Sequence, residues 1–262
     1  MILNLIKKVI RKFIPSNHLL KYFNFKTDSF FRIRQIFFQI FPNKRTSLAK
    51  KYLKGSGIEI GALHHPLVVP YHVKVKYVDR LSVKELMRQY PEIGDDPLVN
   101  VDIVDDGERL EKIPSESQNF VIANNLLEHC ENPIGVIKTF LRVLKTKGIL
   151  YLAVPDKRFT FDIKRPVTEL GHLIEDYRNG PEKSRKEHFF EWASFIGKKS
   201  GAELETYAKM IMDKKYIIHF HVWTDKELFE FFLYLKQDLN LGFKILESVF
   251  SNNENIFIIR KV

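Results

Sequence analysis

The most informative part of this sequence is Gly57-Ile-Glu-Ile-Gly-Ala62. Its apolar alternation, followed by a glycine, predicts a buried strand that ends in a tight turn. An acid, Glu59, stands two residues before the turn glycine, Gly61. A glycine turn that binds pyrophosphate offers its backbone N–H groups to the anion, and a carboxylate beside them would repel that ligand. The stretch therefore favours a ligand that carries an ammonium or sulfonium group and free hydroxyls.

Strands and helices alternate on both sides of this turn. The apolar patterns predict helices at Ser47–Leu53, Val83–Tyr90, Pro133–Leu144 and after the capping box of Thr224 and Glu227, and strands at Ile58–Ile60, Val73–Val78, Asn100–Val104, Phe120–Ala123, Gly148–Val154, Phe243–Phe250 and Ile256–Arg260. Buried strands that alternate with helices predict a mostly parallel sheet with helices on both faces. The first crossover is an exception, because Pro66 and Pro70 leave no room for a full helix there.

The basic charge of the chain is concentrated near its start. The formal net charge is +10, and residues 1–50 hold eleven Lys and Arg against one acid, Asp28. The rest of the chain is neutral, so it has no general polyanion-binding character. The single cysteine, Cys130, excludes an intramolecular disulfide and suits a reducing compartment. Because it follows a histidine inside a predicted helix, we expect a buried, inert thiol.

Residues 1–45 are predicted to form a basic amphipathic arm, with helical spacing of apolar residues from Ile2 to Ile14 and a second such stretch from Phe30 to Phe41. Three interpretations are open. The arm could enter an anionic membrane surface through residues 1–41, pack as helices on the body or a second subunit, or bind nucleic acid, although no nucleic-acid-binding signature is present. The sequence predicts neither a transmembrane helix nor a cleavable signal peptide.

Residues 157–222 interrupt the alternation of strands and helices. They are polar and carry four of the nine histidines: His172, His188, His219 and His221. Asp162, Arg165, His172 and Asp176 are spaced to place polar groups on neighbouring faces. If the segment around His219 is a strand, His219 and His221 share one face. A metal site would need a third ligand that the sequence does not identify, so no metal is assigned.

The order of elements, with an acid at the end of each early strand, resembles the class I S-adenosylmethionine-dependent methyltransferases of type 11 over residues 46–262. Four motifs carry the resemblance: Gly57–Ala62; Val75–Arg80, which ends strand two at Asp79; Val101–Leu110; and Phe120–Pro133, followed by Leu141–Gly148 and Tyr151–Pro155. It implies a seven-stranded Rossmann-like sheet with the last strand antiparallel, and residues 157–222 as an acceptor-binding cap.

The resemblance also implies the cofactor, S-adenosyl-L-methionine, and a set of residues that bind it. An acid at the end of strand two, here Asp79, would hold the ribose hydroxyls, because a carboxylate can accept two hydrogen bonds at once. An acid after strand three would accept from the adenine amine; Asp106 fits that place, although Asp105 could serve. The predicted cofactor-binding residues are Glu59, Gly61, Ala62, Asp79, Arg80, Asp106, Gly107 and Asn124.

His129 is the predicted general base if the acceptor is a hydroxyl. It follows strand four at the carboxyl edge of the sheet, where ligands bind in such folds, and histidine exchanges protons near neutral pH. A histidine that only packs there is the alternative interpretation.

The resemblance extends to bacterial methyltransferases of cell-surface polysaccharide biosynthesis. It implies a cytoplasmic enzyme that O-methylates a sugar or glycan, peripheral at the inner membrane face if the arm is an anchor. Two alternatives remain: a non-catalytic cofactor-binding scaffold, and a nucleic-acid methyltransferase that uses the arm. Asn124-Asn-Leu-Leu stands where amino-directed nucleic-acid enzymes carry an Asn/Asp-Pro-Pro-Tyr/Phe loop, which disfavours a nucleic-acid partner.

Overall fold

A seven-stranded sheet forms the centre of the protein. The computed structural model describes residues 42–94 and 96–262, together with Phe31. The strands are β1 (Ser56–Ile60), β2 (Lys74–Asp79), β3 (Ile103–Val104), β4 (Gln118–Asn124), β5 (Leu144–Pro155), β6 (Phe243–Ser251) and β7 (Glu254–Lys261). Their order is β3-β2-β1-β4-β5-β7-β6. Strand β7 runs antiparallel to β5 and β6, and the other six strands all run in one direction. The predicted mostly parallel sheet with an antiparallel last strand is confirmed.

Seven α-helices accompany these strands in the described residues: α1 (Lys44–Tyr52), α2 (Val83–Gln89), α3 (Pro133–Val143), α4 (Leu170–Asn179), α5 (Glu182–Phe195), α6 (Gly201–Asp213) and α7 (Asp225–Gln237). Helix α1 starts earlier than predicted, because the Asn43 side chain caps it by accepting from Thr46 N at 2.9 Å. The boundary predicted between residues 45 and 46 therefore falls inside a helix. The capping box of α7 is present, and Thr224 N donates to Glu227 Oε2 at 3.0 Å.

Apolar residues cover the two faces of the sheet differently. One face packs on α3 and α7, and its core includes Ile58, Ile60 and Phe140. The other face packs on α1 and on the loop between β1 and β2, through Leu48, Leu53 and other buried residues. That loop contains no α-helix, as the two prolines predict.

Two predicted boundaries are wrong for local reasons. Strand β3 has only two residues rather than five, because the side chain of Asp102 accepts from Tyr77 N at 2.8 Å and takes the place of a backbone partner. Strand β5 starts at Leu144 and not, as predicted, at Gly148. Its first residue, Leu144, pairs with Gln118 of β4, and the register shifts between Gln118 and Phe120. Cys130 is buried, as expected, but it lies in a turn before α3 rather than in the helix.

The cap, residues 157–222, contains α4, α5, α6 and an extended segment at 216–222. It has a small core of its own, in which Phe189 and Ala193 of α5 pack with Ala208 and Ile211 of α6. Helix α4 also packs on the main core through Leu173. The segment at 216–222 is not a strand, so the condition for a shared face of His219 and His221 is not met. The two rings have different partners, Asp162 for His219 and the carbonyl oxygen of Glu131 for His221.

The interpretations of residues 1–41 concern a segment outside the described part, apart from Phe31. Within the described part, no helix combines the length and the hydrophobicity that a bilayer crossing requires.

Gly57, which opens the motif, is required by packing between neighbouring strands. A Cβ atom at this position would lie 2.3 Å from the carbonyl oxygen of Phe120 and 2.5 Å from its ring. We expect Gly57→Ala to lower the free energy of unfolding by about 1–3 kcal/mol, because the backbone of β1 would have to move away from β4. Urea denaturation measures this change.

Gly171→Ala is the matched control, since a Cβ there meets nothing within 4 Å. That change lies in helix α4 and should stabilise the protein by up to about 1 kcal/mol. Equal unfolding free energies for the two variants would contradict the packing explanation.

Candidate active site

A large cleft opens at the carboxyl ends of β1, β2 and β4 and is covered on one side by the cap. Its volume is about 1550 Å³. A site for one drug-sized ligand has roughly 300–1,000 Å³, so the cleft has room for two molecules side by side. Ligands bind at this edge in open parallel sheets.

The structure brings six of the nine predicted site residues together in this cleft. They are Gly61, Asp79, Arg80, Asp106, Gly107 and His129. Glu59, Ala62 and Asn124 are not among the lining residues. The Asn124 amide is enclosed and has no hydrogen-bond partner within the described residues, so its contact with a ligand stays a prediction.

Glu59 points away from the cleft, into the loop that follows β1. Its side chain is 1% exposed, and its two carboxylate oxygens accept from Leu67 N at 2.8 and 3.1 Å. This contact fixes the proline-containing loop that replaces a helix. A contact between Glu59 and a cofactor, which the sequence predicts, therefore has no support from the geometry.

Replacing Glu59 separates these two roles. Glu59→Ala leaves the buried Leu67 N–H without its acceptor and should lower the free energy of unfolding by about 1–3 kcal/mol in urea denaturation. Glu59→Gln keeps one oxygen acceptor and should cost less. If Glu59 instead contacts the cofactor, Glu59→Gln will weaken cofactor binding at unchanged stability.

Three acids lie at strand ends along this edge of the sheet, Asp79 at the end of β2 and Asp105 and Asp106 after β3, and their side chains have different surroundings. Burial raises the pKa of Asp79, against the opposing hydrogen bonds from the backbone of Arg80 and Leu81. Its carboxylate is thus a partly desolvated acceptor that gains from a hydroxyl donor. Asp105 accepts from the backbone nitrogens of Asp106 at 2.9 Å and Lys112 at 2.8 Å, whereas Asp106 lines the cleft. The geometry favours Asp106 over Asp105 as a ligand contact.

His129 lies in a short 3₁₀ turn between β4 and α3, and not in a helix. Its Nδ1 lies 2.8 Å from the carbonyl oxygen of Ile218, which can only accept, so Nδ1 carries the proton and Nε2 has the lone pair. Burial, and to a lesser extent the neighbouring His219, lower the pKa of His129 to about 4. The imidazole is therefore neutral at pH 7, but a weak base.

A second histidine of the cleft has a better partner. His219 Nδ1 lies 2.6 Å from Asp162 Oδ2, and its ring lies 4.7 Å from that of His129. Asp162 also accepts from Arg165 Nη1 at 2.8 Å, and both side chains are almost fully buried. Burial pushes the pKa of Asp162 upward, but the hydrogen bonds from His219 and Arg165 hold it below its usual range. The carboxylate stays ionised and orients the His219 ring.

Glu128 lies behind these two histidines. It is 2% exposed, and neither carboxylate oxygen has a hydrogen-bond partner within the described residues. Burial raises the pKa of Glu128 to about 7, and the charge of His219 opposes the rise. A carboxyl group with a raised pKa thus lies behind His129 and His219, which line the cleft, and groups with shifted pKa values are typical of functional sites.

Sequence reasoning missed the pairing of His219 with Asp162, because 57 residues separate them. The sequence singled out both residues, Asp162 as a polar residue of the cap and His219 as one of two histidines. Nothing in their spacing indicates that the cap folds back and brings them together.

A family model of the methyltransferase domain matches residues 48–200. The chain belongs to the methyltransferase domain family. It is also 27% identical over 165 residues to an uncharacterized protein of Methanocaldococcus jannaschii. The match covers 63% of this chain and 69% of that protein.

Solved structures resemble this methyltransferase in fold at low identity. A Rhodobacter sphaeroides protein, provisionally named a zinc-dependent alcohol dehydrogenase, has a TM-score of 0.50 at 12% identity, over 84% of this chain and 91% of that chain. A SAM-dependent methyltransferase from Aquifex aeolicus has a TM-score of 0.40 at 13% identity, over 78% and 80%. At these identities the likeness concerns the fold alone.

The methyltransferase uses S-adenosyl-L-methionine as its cofactor, and the cleft residues fit it. Asp79 ends β2 as a half-buried carboxylate that can hold hydroxyls, and Gly61, at φ +65°, turns the backbone with no side chain between it and the cleft. Asp106 and Gly107 complete the wall at the next strand end.

Proposed function

We propose that this methyltransferase transfers the methyl group to a hydroxyl oxygen of a sugar or glycan, with His219 as the base. The observation that carries the proposal is the hydrogen bond of 2.6 Å between His219 Nδ1 and Asp162 Oδ2 at the wall of the cleft. A hydroxyl must lose its proton as its oxygen becomes methylated, and a histidine oriented by a carboxylate is suited to accept it.

When bound, S-adenosylmethionine supplies an electrophilic methyl group on a sulfonium sulfur. The protein has to align the acceptor and exclude water. With its Nδ1 proton directed to Asp162, His219 has the lone pair of Nε2 available for the proton of the hydroxyl. The same carboxylate stabilises the imidazolium that forms. His129, predicted as the base, is less suited because burial lowers its pKa to about 4.

The walls of the cleft support a bulky and partly apolar acceptor. The cap contributes aromatic side chains, among them Phe161, Trp192 and Tyr216. Flat rings of this kind suit the apolar faces of a sugar ring. Lys214 and Lys215 lie at the same side and suit an anionic group such as the diphosphate of a lipid-linked glycan.

This acceptor would place the enzyme in cell-surface polysaccharide biosynthesis, at the cytoplasmic face of a membrane. The basic arm, residues 1–41, would then contact the anionic membrane surface. This role of the arm, like the polysaccharide context, is part of the proposal.

The proposal is tested by assaying methyl transfer from radiolabelled S-adenosylmethionine to three panels: sugars and lipid-linked glycans, small amines, and RNA. Product with the first panel, with the label in an O-methyl group by mass spectrometry, is the expected result. Tight cofactor binding with no product on any panel would favour the scaffold interpretation and contradict the proposal. Label in RNA, lost when residues 1–41 are deleted, would contradict it in favour of a nucleic-acid acceptor.

A further inference from the structure

A second group of histidines lies inside the cap, away from the cleft. His172 and Asp176 are one turn apart on α4, His188 is on α5, and His221 is in the extended segment before α7. One ligand atom from each of the four residues lies within 4.8 Å of the others. His172 Nε2 is 3.0 Å from His188 Nε2 and 3.1 Å from Asp176 Oδ2. None of the four is among the residues that line the cleft.

Three of the four side chains are buried and His172 is half-buried, and the four offer one another few hydrogen bonds. Asp176 is 2% exposed, His188 8% and His221 0%. His221 Nδ1 and Asp176 Oδ2 have no hydrogen bond of acceptable geometry within the described residues. The single proton that His172 Nε2 can carry serves at most one of its two neighbours. Buried polar atoms are normally paired, so such a cluster requires an explanation.

The outer contacts of the cluster direct its lone pairs inward. His221 Nε2 donates to the carbonyl oxygen of Glu131 at 3.4 Å, which leaves Nδ1 as the unprotonated atom facing the cluster. Ser184 Oγ donates to Asp176 Oδ1 at 2.6 Å and leaves Oδ2 facing His172. Metal-binding histidines and carboxylates are typically held by such outer hydrogen bonds, to a backbone carbonyl or a hydroxyl.

We propose that His172, Asp176, His188 and His221 bind a divalent transition metal ion, zinc by the chemistry of the ligands. Three imidazoles and one carboxylate are donors that zinc accepts in tetrahedral sites. Bonds of roughly 2.0–2.1 Å in a tetrahedron place the ligand atoms about 3.3 Å apart. The two short distances of 3.0 and 3.1 Å are already near that value, and binding draws in the wider ones.

The ion has a structural role in the cap. Four protein ligands fill a tetrahedral zinc site and leave no position for a substrate. The ion joins two consecutive helices, α4 and α5, to the segment at 216–222, which follows α6. His221 is two residues from His219, so the ion also fixes the segment that carries the proposed base. The metal site itself is independent of the proposed acceptor.

The test uses the full chain, stripped with a chelator, reloaded with zinc alone and desalted. Mass spectrometry of the metal content should give about one zinc ion per chain, and zinc should raise the midpoint of thermal unfolding. His188→Ala and Asp176→Asn should lose the zinc, whereas the exposed His72→Ala should retain it. Iron, manganese and nickel are loaded in parallel. If the wild-type chain retains none of the four metals, the proposal is wrong.

Glu128, His129 and His219 form another group of potential metal ligands, and the test distinguishes it from the cap cluster. We expect His219→Ala to retain zinc. Loss of zinc in His219→Ala with retention in His188→Ala would place the ion at the cleft and overturn the proposal. X-ray absorption is measured on the zinc-loaded wild-type chain, so it remains informative if a variant fails to fold. It should show four nitrogen or oxygen neighbours with imidazole scattering, and a sulfur neighbour or six oxygens would contradict the site.

Discussion

Replacing His219 by alanine should lower kcat for O-methylation by roughly 10²- to 10⁴-fold, the usual contribution of a general base. The reason is the geometry of the pair: Asp162 holds the ring by a hydrogen bond of 2.6 Å, and the ring lines the cleft. Because the predicted cofactor-binding residues in the cleft lie at the ends of β1, β2 and β3, the affinity for S-adenosylmethionine should not change in His219→Ala. Steady-state kinetics and calorimetry measure the two quantities separately.

Asp162→Asn should also lower kcat for O-methylation. The asparagine no longer stabilises the imidazolium and can present its amide to Nδ1, which favours the wrong tautomer. The matched control is His72→Ala, which changes an exposed histidine far from both the cleft and the cap cluster and should leave kcat unchanged. If His129→Ala abolishes activity and His219→Ala does not, the base is His129, as the sequence predicted, and the assignment of His219 is wrong.

Replacing Asp79 by alanine should weaken the binding of S-adenosylmethionine by roughly 10²- to 10⁴-fold. The estimate takes two hydrogen bonds from ribose hydroxyls to a charged carboxylate, each worth about 1.5–3 kcal/mol, and converts the sum at about 1.4 kcal/mol for each tenfold change in Kd. Burial raises the pKa of Asp79, so the carboxylate is partly desolvated and has more to gain from these donors than an exposed acid.

Calorimetric titration with the cofactor alone measures this effect without any acceptor. Asp238→Ala, at the exposed end of α7, is the control that removes an acid without touching the cleft. The unfolding free energy of Asp79→Ala should stay near that of the wild type or rise, because a half-buried, partly desolvated acid is lost. Unchanged cofactor affinity in Asp79→Ala would contradict the assignment of the ribose contact.

Local pattern predicted the strands and the cofactor side of the cleft. Short apolar runs located all seven strands, because strands of a sheet covered on both faces are buried in continuous runs, as in β4 and β5. Asp79 could be predicted because parallel strands end at one edge of the sheet, where ligands bind, and Asp106 because of the family resemblance. Glu59 shows the limit of that reasoning. A side chain next to the turn can face the loop as well as the ligand, and the hydrogen bond to Leu67 N decides which.

The cap could not be predicted in the same way. Its helices carry no alternation that indicates how they fold back on the sheet. The 3₁₀ turn at Leu127–His129 and the extended segment at 216–222 meet through contacts between residues about 90 positions apart, such as His129 and Ile218. Spacing along the chain contains no information on such pairs.

The order of strands and helices along the chain was enough to predict the fold, and the resemblance of four motifs to a known family was enough to predict the family and the cofactor. Only the tertiary structure separated the histidines, placing His219 with Asp162 at the cleft and His221 with His172 and His188 inside the cap. The physical reason is that side-chain chemistry at a site depends on burial and on partners from distant segments. Both arise when the cap packs against the edge of the sheet.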